Sequence, residues 1–101
     1  MKIISNSSVL IALSAIGQLG LISRRFPGGI LIPQAVWKEV VKTGRGQPGS
    51  QEVGAASWIT VCDIADRNLF LLLSAELDYG ESEAITLCVE EKADMISVLS
   101  V

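Results

Sequence analysis

Two spacings of apolar residues alternate along the chain and predict strands separated by helices. Lys2 to Ser5 is a short β-branched run, followed by Asn6-Ser7-Ser8, whose side-chain oxygens suit the cap of a helix. Val9, Leu10, Leu13 and Ile16 then recur at helical spacing until Gly17, and Leu19 to Arg25 predicts a second short helix. Pro27-Gly28-Gly29 is a turn, Ile30-Leu31-Ile32 a buried strand, and Pro33 to Lys42 a helix opened by a proline that has no N–H to lose. The run from Gly44 to Gly49 contains three glycines and a proline and predicts a loop. Beyond it the pattern predicts a weak helix over Gln51 to Ala56, a strand over Trp58 to Cys62, a Leu-rich helix over Asp66 to Glu76, a helix over Gly80 to Lys92 and a strand over Met95 to Val101.

Strands alternating with helices over the whole length predict a single α/β domain spanning residues 1–101, with a mostly parallel sheet and right-handed crossovers. Half of the 101 residues are hydrophobic. A chain of this mass can bury roughly 10,000 Å² on folding, enough for one core without covalent staples. In such sheets ligands bind beyond the carboxyl ends of the strands, so Asn6 and Ser8, at the first strand exit, are the first candidates for a site.

The Val9 to Ile22 stretch is interrupted by Ser14, Gly17, Gln18 and Gly20 and is too short to span a membrane. Cys62 and Cys88 lie far apart in apolar runs, with neither a redox pair nor a four-ligand zinc set available, and they read as free thiols in a cytoplasmic protein. Histidine is absent, which removes imidazole catalysis and imidazole metal ligands, so carboxylates must carry any acid–base or metal chemistry.

The net charge of −3 conceals a segregation. In residues 1–50 six basic residues face one acid, Glu39, and leave +5; in residues 51–101 Arg67 and Lys92 face ten acids and leave −8. Two solvated faces that pair with each other give this pattern, and so does a basic ligand-binding rim beside an acidic site.

Asn6, Glu39, Glu81 and Glu83 form the set that faces a plausible cleft, and hard oxygen donors of this kind suit Mg²⁺ or Mn²⁺. By 100° steps Glu81 falls near the centre of its helix's apolar arc and Glu83 about 40° outside its edge. Both also sit in a first helical turn, where carboxylates cap free N–H groups, and Glu39 at the border of its arc is equally a solvated acid. The glycine loop has the spacing of a phosphate loop but lacks the lysine and leaves a helix, so it reads as a surface turn. Arg45, with Lys42, Arg24 and Arg25, is placed to contact an RNA backbone without reading bases. Trp37 and Trp58 read as core residues.

Four segments, Ile3 to Ile11, Ile32 to Val40, Gly44 to Gly49 and Gly80 to Ile85, together resemble the PIN-domain superfamily, in order and over essentially the whole chain. Within it they look like the branch of uncharacterised prokaryotic proteins related to VapC-type toxins. The resemblance implies a three-layer α/β/α fold and a Mg²⁺- or Mn²⁺-dependent endoribonuclease of toxin–antitoxin type. By position it implies metal ligation by Asn6, Glu39 and Glu83, catalytic roles for Glu39, Glu81 and Glu83, and Ser8 as a small polar residue behind the ligands. Asn6 stands where many members carry an Asp and contributes a neutral carbonyl. The chain reads Val98-Leu99-Ser100-Val101 where members carry a further acid, helix and strand. On that comparison it is expected to be a shortened member, with RNA as substrate. The alternative is a non-catalytic PIN-like module that forms a homodimer or binds an antitoxin.

Overall fold

Ile3, Ile4 and Ser5 are all buried, so the strand they form must be covered on both faces and flanked on both edges. In the computed structural model, which describes residues 2–96, this strand, β1 (Ile3–Ser5), lies inside a four-stranded sheet. Its neighbours are β2 (Ile30–Pro33) and β4 (Asp94–Ile96), and β3 (Ile59–Cys62) lies beyond β2, giving the order β3-β2-β1-β4. All pairings are parallel, with Ile4 opposite both Leu31 and Met95, and Ile32 opposite Val61. The α/β fold with a parallel sheet expected from the sequence is the one observed. The expected last strand ends at Ile96 within the described residues; its continuation over 97–101, with the apolar Val98-Leu99-Ser100-Val101, lies outside them.

Helices α1 (Ser7–Ala15), α2 (Gly20–Arg25), α3 (Gln34–Trp37), α4 (Ser50–Ala55), α5 (Arg67–Ser74) and α6 (Tyr79–Glu91) connect the strands. The core gathers Ile3, Val9, Leu10, Ile30, Ile32 and Val36 with Val40, Ala84 and Ile96. Side-chain oxygens set three helix starts: Asn6 accepts from Val9, Asp66 from Leu69 and Asp78 from Glu81, each through the backbone N–H. These caps start α1 and α6 earlier than the apolar periodicity suggests.

At Gly29 and Gly44 the close approach of a carbonyl oxygen requires glycine. A Cβ at Gly29, which has a φ of 84°, would run into the carbonyl oxygen of Trp58, the acceptor for Ile30 N–H at the head of β2. A Cβ at Gly44 would sit 2.7 Å from the carbonyl oxygen of Val40.

Three sequence expectations need correction. The helix expected from Pro33 to Lys42 is α-helical only through Trp37; Lys38–Thr43 is a π-helical segment, closed by Gly44 N–H donating to Glu39 C=O at 3.0 Å. Lys92 does not extend α6 but ends it in a left-handed conformation with a φ of 52°. The leucine run of α5 buries only Phe70 and leaves Leu71 and Leu72 exposed. Trp37 and Trp58 pack half-buried against the core, as expected. The thiols of Cys62 and Cys88 are unpaired, and burial is the main cause pushing both above their ordinary pKa.

Candidate active site at the carboxyl edge of the sheet

Because the strands are parallel, the residues that leave β1 and β2 emerge at one edge, and the first turns of α1 and α3 stand there together. Asn6 spends its side-chain oxygen on capping α1, at 3.1 Å from Val9 N. The next residue, Ser7, is buried, and its hydroxyl donates to Oε1 of Glu39 at 2.8 Å. This bond ties the start of α1 to the π-helical segment and fixes the direction of the Glu39 carboxylate. The same oxygen also meets α6, since a Cβ built on Gly80 would lie 3.0 Å from it.

Glu83 lies three residues beyond Gly80, about one turn further along α6. It is buried, at 5% exposure, and its Oε1 accepts the Ala35 N–H at 2.9 Å. That N–H is in the first turn of α3, where backbone donors lack helical partners and the helix dipole favours an anion. The other oxygen, Oε2, lies 3.9 Å from Nη1 of Arg67, at the start of α5. Glu39 and Glu83 are thus each held through one oxygen by a donor from a different helix, around the first turns of α6.

This arrangement reverses the helical-wheel expectation for α6. Glu83 is buried and Glu81 is exposed; among the described residues the Glu81 side chain makes no hydrogen bond or ion pair, and its backbone N–H donates to the Asp78 cap. The wheel misplaced the inner face because Ser82 and Thr86 are buried too. Ser82 donates its hydroxyl to Asp78 C=O and Thr86 to Ser82 C=O, both at 2.7 Å, so each residue satisfies its polar atom on its own helix and packs as a small apolar group.

Ser8 is exposed; the serine that reaches a carboxylate is its neighbour Ser7, which the sequence reading did not single out. No periodicity marks Ser7, but the first residue after an N-cap is a position whose side chain can turn back to a neighbouring element. Arg67, which approaches Glu83, was not singled out either, although it is one of only two basic residues in an acidic half-chain. Arg24 and Arg25 end α2, with the Arg25 guanidinium 4.9 Å from the Phe26 ring centroid. Lys42 covers Trp37, and Arg45 is exposed in the glycine loop. Among the described residues no hydrogen bond or ion pair joins any of these four to the carboxylates.

Among the described residues no three Asp, Glu, His or Cys side chains are grouped closely enough to hold an ion by themselves. Mg²⁺ and Mn²⁺ need less than that, because one or two carboxylates suffice when water and phosphate oxygens complete the shell. The donors present fit this requirement. Oε2 of Glu39 and Oε2 of Glu83 accept no hydrogen bond among the described residues, while their Oε1 partners fix the orientation.

Gly80→Ala tests how finely Glu39 is placed. The added methyl is expected to displace the carboxylate by a few tenths of an ångström and lower any metal-dependent activity about tenfold. Thermal melting should show unchanged or slightly raised stability, because alanine favours a helix over glycine by up to about 1 kcal/mol.

A family model described as a PIN domain covers residues 2–98. No curated protein and no solved structure matches the chain.

Proposed function

The chain belongs to the PIN-domain family, and from that membership we propose that it is a Mg²⁺- or Mn²⁺-dependent endoribonuclease of the VapC-like, toxin–antitoxin type. The observation that carries this reading is the pair of carboxylates at the carboxyl edge of the sheet, each oriented by a hydrogen bond to one oxygen and accepting none at the other among the described residues.

Glu39 and Glu83 would hold the ion. What a divalent ion supplies in such a place is positive charge against the phosphodiester and a more acidic water. The residues themselves provide direction. The Ser7 hydroxyl stops the Glu39 carboxylate from rotating, and the Ala35 N–H does the same for Glu83, so neither loses freedom when substrate arrives. Asn6 holds the entrance of α1 in register, and its carbonyl oxygen, which accepts the Val9 N–H, would be the neutral ligand of the set. Glu81, on the exposed side of α6, fixes neither carboxylate and enters the reading as negative potential at the mouth. Arg24, Arg25, Lys42 and Arg45 would hold the RNA backbone electrostatically.

A partner-binding reading is supported by α5. Leu72, at 74% exposure, stands with Leu71, Asn68 and Ala75 around a shallow crevice of about 450 Å³, an apolar surface suited to a second copy or an antitoxin-like protein. No helix among the described residues is long and apolar enough to cross a membrane.

The nuclease reading predicts that purified chain cleaves single-stranded RNA with Mn²⁺ or Mg²⁺, stops in EDTA, and resumes when the ion is restored in excess. Cleavage indifferent to EDTA, or none with either ion, would contradict it.

A further inference from the structure

Until an ion is bound, a site made of two carboxylates repels a phosphodiester, and a protein cation beside them would offset that repulsion. Among the described residues one basic side chain lies within ion-pair distance of either carboxylate, and it is Arg67. Its setting differs from that of a structural ion pair. The guanidinium approaches Glu83 only to 3.9 Å, its side chain is 62% exposed, and it makes no hydrogen bond among the described residues. Its forked N–H donors therefore remain open to solvent at the mouth of the site.

The backbone that carries that guanidinium is held in place. Glu90 accepts the Ala65 and Asp66 N–H groups at 2.6–2.9 Å, and Asp66 caps α5 through the Leu69 N–H. The ring of Phe70, itself buried, lies 5.4 Å below the guanidinium carbon. A planar donor fork on a rigid base, beside acids and facing outward, suits bidentate capture of two phosphate oxygens.

We propose that Arg67 is the phosphate-binding residue of this site, taking the non-bridging oxygens of a single-stranded RNA phosphodiester beside Glu39 and Glu83. The inference rests on the nuclease reading and deepens it. It sets Arg67 apart from Arg24, Arg25, Lys42 and Arg45, which form no ion pair or hydrogen bond with the carboxylates among the described residues.

The test measures binding of a fluorescein-labelled single-stranded RNA by anisotropy in EDTA, across a range of salt, so that no cleavage intervenes. Four proteins are compared: wild type, Arg67→Ala, Glu83→Gln and the double variant, each first shown to melt cooperatively. Arg67→Ala is expected to weaken binding about tenfold and to reduce the salt slope by about one. The loss should persist on the Glu83→Gln background, because the contact is to the RNA and not to Glu83. Equal binding with and without Arg67, or a loss that vanishes once Glu83 is neutral, would overturn the proposal and leave Arg67 as a partner of Glu83. Failure of the wild type to bind or cleave RNA at all would instead remove the nuclease reading, and this inference with it.

Discussion

Glu83→Gln is expected to lower metal-dependent RNA cleavage by about a hundredfold or more while leaving the fold intact, as read by single-turnover cleavage and thermal melting of the same preparation. The two readouts separate because Glu83 uses its two oxygens differently. Oε1 accepts the Ala35 N–H in the interior, and the Gln carbonyl oxygen can replace it. What the amide cannot replace is the negative charge that would hold a divalent ion. Among the described residues the only cation near the buried charge is the distant, largely exposed Arg67, and the Ala35 N–H that also holds it is kept by the amide, so neutralising it should destabilise the protein little. Glu83→Ala would serve poorly, since it would leave the Ala35 N–H buried without a partner. Undiminished cleavage by Glu83→Gln would remove Glu83 from the site.

Ile4→Ala is expected to cost about 3 kcal/mol and to lower the melting temperature by roughly 15 °C in a domain of this size. Ile4 is fully buried in the strand at the centre of the sheet, opposite Leu31 on one side and Met95 on the other. Truncation leaves a void that neighbouring strands cannot close without giving up their register. The strand exit at Asn6 and Ser7 depends on that register, so cleavage should fall with stability when assayed near the melting temperature. A loss below about 1 kcal/mol in denaturant titration would mean that the sheet interior repacks freely.

The order of strands and helices was legible because it rests on apolar spacing, which burial enforces directly. Ile3-Ile4 and Ile30-Leu31-Ile32 admit few other structures, and Asn6 advertises the start of α1 as a cap. The acids of the candidate site could be named from the sequence, but not their orientation. Glu81 and Glu83 exchange places relative to the helical wheel because Ser82 and Thr86 hide their hydroxyls on their own helix, a choice that hydropathy does not register. The π-helical segment at Lys38–Thr43 has no periodic signature, yet it carries Glu39 toward Ser7 and Gly80. Ser7 and Arg67 became visible only through long-range contact, since each meets a carboxylate distant in sequence. The family resemblance added an order of four motifs to a set of acids that the sequence pattern had already gathered.

The central claim is that Glu39 and Glu83 form one divalent-ion site on the folded chain. Its most direct test is the thermal unfolding of the wild type and of the double variant Glu39→Gln, Glu83→Gln, each in excess Mn²⁺ and in EDTA. Ligand at about a hundred times its dissociation constant adds about 2.7 kcal/mol to the native state, so the wild type should melt about 10 °C higher with Mn²⁺. The double variant should melt at the same temperature in both buffers. A wild type that melts identically with and without Mn²⁺, or a double variant that keeps the shift, would contradict the account.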